Sequence, residues 1–185
     1  MSLTFGMPVR AIGARHRLTL GAVLCAFLSC AAPARADISC SLVPTLGVSG
    51  VLGMPAALVT MVGPSADAAI PTVTDTNCNY TGGSGTILLR VLDFPSAGDA
   101  GQVFGEALVI ARFKEVDDPD AKSITVASEP GLGGPAFSAI TVRTAGYAAL
   151  KGSHIVLLGA SRPGLSPAEL SPKVKSLMAT VLGKL

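Results

Sequence analysis

The chain has 185 residues, with 14 basic against 12 acidic side chains and no tryptophan. Arg10, Arg15, Arg17 and Arg35 all precede position 37, so residues 37–185 keep 10 basic and 12 acidic side chains, a net charge of −2. That balance offers no Lys/Arg footprint for phosphate and excludes nucleic acid as the partner.

The first segment reads as a disposable export signal. Arg10, Arg15, His16 and Arg17 form a basic stretch, and residues 18–32 follow without a charge. Ala34-Arg35-Ala36 places small residues at the first and third positions before a cut between Ala36 and Asp37. The uncharged run is about 15 residues, short of the roughly 20 that a membrane-crossing helix needs. Phe27-Leu28-Ser29-Cys30 resembles a lipobox, with Phe27 where such sequences carry leucine. Lipid attachment at Cys30 is therefore the lesser alternative to free export into a periplasm or the exterior. The expected organisation is a signal peptide over 1–36 and a single α+β domain over 37–185, with no transmembrane helix in the mature part.

Cleavage removes Cys25 and Cys30 and leaves Cys40 and Cys78. Two cysteines in an oxidising compartment allow one intramolecular bridge, Cys40 to Cys78. No Cys-x-x-Cys spacing is present, and His154 is the one histidine left after position 36. A zinc site draws four ligands mainly from Cys and His, so neither a metal nor any other cofactor is expected.

Along the mature chain, residues 41–53 read as a short helix, with Leu46, Val48, Val51 and Leu52 as apolar positions and Gly53 as the stop. Residues 54–76, broken by Gly63-Pro64 and Ile70-Pro71, read as a turn-rich connection with a short strand at 58–62. Strands at 77–81 and 86–94 flank a glycine-rich turn and make a hairpin, with Ile87, Leu89 and Val91 on one face. A helix is expected from Pro95-Ser96 to about Phe113, capped by Ser96 with Asp99 in the first turn. Its apolar stripe is Ala100, Val103, Phe104, Ala107, Ile110 and Ala111. Residues 114–122 read as a charged loop, and strands follow at 124–129, 136–144, 147–151 and 154–160. Val174, Leu177, Met178, Val181 and Leu182 then recur at helical spacing. Ser166 to Glu169 matches a capping box, and Pro172 is expected to separate a short turn from the long helix. The fold class is α+β: an antiparallel sheet of about five strands against two or three helices.

A cysteine close behind the export signal, a short helix ending in Val51-Leu52-Gly53, Asn77-Cys78-Asn79-Tyr80 opening a strand pair, the turn Gly131-Leu132-Gly133-Gly134-Pro135, and a C-terminal amphipathic helix occur in that order. This layout resembles small exported bacterial cell-envelope proteins, among them lipoproteins and extracytoplasmic sensor-like domains. The resemblance implies a non-enzymatic envelope role and brings no catalytic residues with it.

Glu115, Asp117, Asp118 and Asp120 form the densest acidic cluster. Pro119 interrupts it and no calcium-loop pattern completes it, so a solvated loop is expected. His154, with Asp93 or Asp99 as its orienter and a nearby serine, is the one route to hydrolase chemistry. The expected function is a non-catalytic module binding an envelope partner protein or a small apolar ligand. The alternatives are that hydrolase, or a structural envelope component presenting an apolar patch over residues 56–62.

Overall fold

A computed structural model describes residues 40–55, 57–66, 72–117 and 125–185, all inside the compact unit Ile38–Leu185. For residues 57–66, 110 and 112–117 the backbone alone is described. The expected export signal and cut site, with Cys25 and Cys30, lie outside these residues.

Pro44 splits the expected first helix. A 3₁₀ turn, Cys40–Leu42, precedes it, and α1 then runs over Thr45–Leu52. Gly53 ends α1 at φ 73°, a left-handed conformation that favours glycine, and its N–H donates to the Ser49 carbonyl at 2.7 Å. Val48, Val51 and Leu52 are buried, but Leu46, read as a core position, is 87% exposed. One short helix can turn only one stripe inward.

Seven strands follow, one at each place where the sequence patterns predict a strand and two more than the about five expected in the sheet: β1 (Ala57–Ala66), β2 (Thr74–Gly82), β3 (Gly85–Asp93), β4 (Thr125–Ser128), β5 (Ala136–Ile140), β6 (Ala145–Lys151) and β7 (His154–Ser161). The helices α2 (Ala97–Asp117) and α3 (Pro167–Lys184) complete the α+β architecture. All neighbours pair antiparallel in the order β1-β2-β3-β7-β6-β5-β4. The sheet is thus two hairpin-linked ribbons, β1 to β3 and β4 to β7, joined along the β3–β7 seam. The α2 crossover carries the chain from that seam to the far edge.

β1 is longer than the strand expected at 58–62, and it runs through Gly63 and Pro64. It is an edge strand, where one side carries no ladder, so a missing proline N–H need not break a sheet bond. Its pairing with β2 is irregular between Val62 and Ser65, around the proline. β5 stops at Ile140, earlier than expected, because Thr141 and Thr144 close a tight turn. The Thr141 Oγ1 accepts from the N–H groups of Arg143 and Thr144, and Val142 is left exposed at the tip. At its other end, α2 continues past Phe113 to Asp117.

One face of the sheet packs on α1 and α3. Tyr80, Ile87, Leu89, Val91, Tyr147, Val156 and Leu158 meet Val48, Leu52, Leu170, Val174, Met178 and Val181 there. The other face is covered by α2 over part of its width. Phe104 packs on Phe137 with ring centroids 5.4 Å apart, beside Ala148 and Ile155. The start of α2 follows expectation, since the Asp99 N–H donates to the Ser96 Oγ at 3.1 Å.

α3 is one helix, and Pro172 lies inside it. The Ser166 and Glu169 capping box sets the start six residues ahead of the proline. Pro172 therefore falls in the second turn, where Ala168 is exposed and water can serve the carbonyl left without a donor. Replacing Ser166 with alanine should lower stability by about 0.5–2 kcal/mol, read as a drop in urea midpoint without a change in slope.

Glu129, just after β4, receives a hydrogen bond from Lys175 of α3 at 2.6 Å. Burial opposes ionisation of the carboxyl, but the bonds from Lys175 and Ser138 and the lysine charge outweigh it and hold the group below the usual glutamate range. The bond to Glu129 holds Lys175 above the usual lysine range. The Glu129 contribution is present above the ordinary glutamate pKa and is lost as pH falls through its lowered value. The Lys175 contribution is present below the ordinary lysine pKa and is lost as pH rises through its raised value. Urea midpoints measured across a pH series should fall on acidification through the carboxylate range. Glu129→Gln should make that acid limb shallower.

Candidate functional site

The disulfide expected from the sequence is present: Cys40 and Cys78 are bonded, and both are buried. It ties the 3₁₀ turn to β2. Beside it the Tyr80 hydroxyl donates to the Cys40 carbonyl at 2.6 Å, and burial pushes that phenol above its ordinary pKa. From α3, Lys184 Nζ donates to the Ser41 carbonyl at 3.0 Å. These contacts fix the first described residues to the sheet, which is a structural role.

Two other places gather polar side chains. The first is where β3 leads into α2. The β3–β7 register sets Asp93 opposite His154, and Gly152 and Ser153 make the turn between β6 and β7. His154 Nε2 and Ser153 Oγ each lie 3.5 Å from the same atom, Asp93 Oδ1, and Asp93 is buried. His154 Nδ1 lies 3.3 Å from the Lys151 carbonyl, and the Phe94 N–H donates to the Ser153 carbonyl at 2.9 Å.

The fold thus brings together three residue types that hydrolysis requires, but in the wrong order. A nucleophile relay needs the imidazole between hydroxyl and carboxylate, so that it can take a proton from one while the other orients it. Here the carboxylate is the hub. The serine is on Asp93 rather than on the ring, and each ring nitrogen faces an acceptor within the protein. Asp99, the other proposed orienter, accepts from Ser96 Oγ at 2.7 Å in the α2 cap. What the cluster does is tie the β6–β7 turn to the end of β3 and to Phe94 just after it.

The second place is the part of the sheet face that α2 leaves open. Pairing sets Asn79, Leu88, Gly159 and Gly146 in one row across β2, β3, β7 and β6. The row beside it holds Asn77, Arg90, Leu157 and Ala148, and its β6 end runs under α2. Leu88 is 50% exposed. Chain neighbours aside, no atom lies within 4 Å of where a Cβ on Gly159 would stand, so the space over that position is open.

Charge along this strip is neutralised internally. Arg90 donates through Nε to both Asp75 carboxylate oxygens at 3.1 Å and through Nη2 to Oδ2 at 2.8 Å. Asn77 Nδ2 donates to Asp75 Oδ1 at 3.0 Å, and Thr86 and Ser161 share a hydrogen bond at 3.0 Å. An apolar centre with hydrogen-bonding flanks suits contact with another molecule. It supplies no activated nucleophile.

Of the acidic cluster, Glu115 and Asp117 lie in the last turns of α2, where the backbone alone is described, and positions 118 and 120 fall outside the described residues. The apolar patch expected over 56–62 likewise falls where no side chain is described. Among the described residues no helix is long and apolar enough to cross a membrane.

No protein-family model and no curated protein matches the chain. Among solved structures, the extracellular domain of PknH from Mycobacterium tuberculosis is similar with a TM-score of 0.46 at 11% sequence identity, covering 78% of this chain and 94% of that one. The likeness is in the course of the backbone.

Proposed function

We propose that residues 37–185 are an exported, non-catalytic module that binds a partner protein or a small apolar ligand through the open half of its sheet. The observation behind this reading is the strip around Leu88. It is neutral, it carries a half-exposed leucine between hydrogen-bonding side chains, and the space over Gly159 is open. A buried disulfide and the signal-like residues 1–36 support export, because such bonds persist in oxidising compartments. The carboxylate-centred arrangement at Asp93 weighs against the hydrolase alternative.

A photo-crosslinking side chain placed at Thr86, on the open strip, tests the reading in the organism that makes the protein. The control position is Thr180, on the exposed side of α3. A discrete adduct from position 86 that is absent from position 180 is the expected result. Adding Gly159→Leu should abolish it, because the new side chain would stand in the open space beside Leu88. Equal labelling from both positions, or none from 86, would overturn the proposal.

A further inference from the structure

We draw no further inference here: the strongest candidate, the surface patch formed at α1 by the exposed Leu46 and Met54, carries nothing because nothing in the structure shows what covers it.

Discussion

Leu158→Ala is expected to destabilise the domain by about 2–5 kcal/mol, the range for a buried leucine whose cavity does not collapse. Leu158 is 1% exposed on β7, the middle strand of seven, and its register partner across the seam is Leu89, which is fully buried. The seam is where the two ribbons meet, and α3 packs over it. A loss of this size is a large share of the 5–15 kcal/mol that holds an ordinary domain folded. Urea denaturation should show a lower midpoint at unchanged slope. Leu89→Ala should cost a similar amount. The double variant should depart from the sum of the two, since the side chains share one packing environment. If Leu158→Ala moved the midpoint no more than an exposed substitution such as Thr180→Ala, the seam would not be the core of the fold.

Replacing both cysteines with alanine should cost roughly 3–4 kcal/mol. The bridge closes a loop with a sequence separation of 38, and constraining a loop of that size removes about that much conformational freedom from the unfolded chain. The effect should be seen again when the unaltered protein is unfolded in urea with and without a reductant. Because both cysteines are buried, reductant should act through the unfolded state, so the native protein should resist it in the absence of urea. Rapid reduction under native conditions would contradict this placement of the bridge.

Much of the architecture could be read from local pattern. The alternation through Ile87, Leu89 and Val91 specified which face of β3 is buried, and the spacing of Val174, Leu177, Met178, Val181 and Leu182 specified the inner face of α3. These signals are local because side-chain periodicity alone decides them. The β3–β7 seam was not legible. It joins residues about 70 positions apart, and no nearby residue encodes which strands will become neighbours. Pro172 and Pro64 predict breaks only where proline displaces an obligatory N–H bond. A second-turn position and an edge strand each relax that requirement. Apolar alternation alone extends the strand through Val142, whereas Thr141 bonds to residues two and three ahead and ends it, a turn that Thr-x-x-Thr signals.

The candidate site was less legible still. His154 and Asp93 were named together, but the hub position of Asp93 follows from register, which sets His154 opposite it and brings Ser153 alongside. No local sequence pattern marks the open strip. Leu88, Arg90 and Leu92 alternate with the core positions, and such an outward row is covered or bare according to where α2 crosses the sheet. That crossing depends on Phe104 meeting Phe137, a contact between residues 33 positions apart.

The proposed role requires a shortened, oxidised molecule working outside the cytoplasm. The mass of the intact protein from its native source, taken after thiol alkylation without reductant, tests this most directly. The expected species begins at Asp37, is two hydrogens lighter than the reduced chain, and carries no alkyl group. A species beginning at Met1 with Cys40 and Cys78 both alkylated would contradict it.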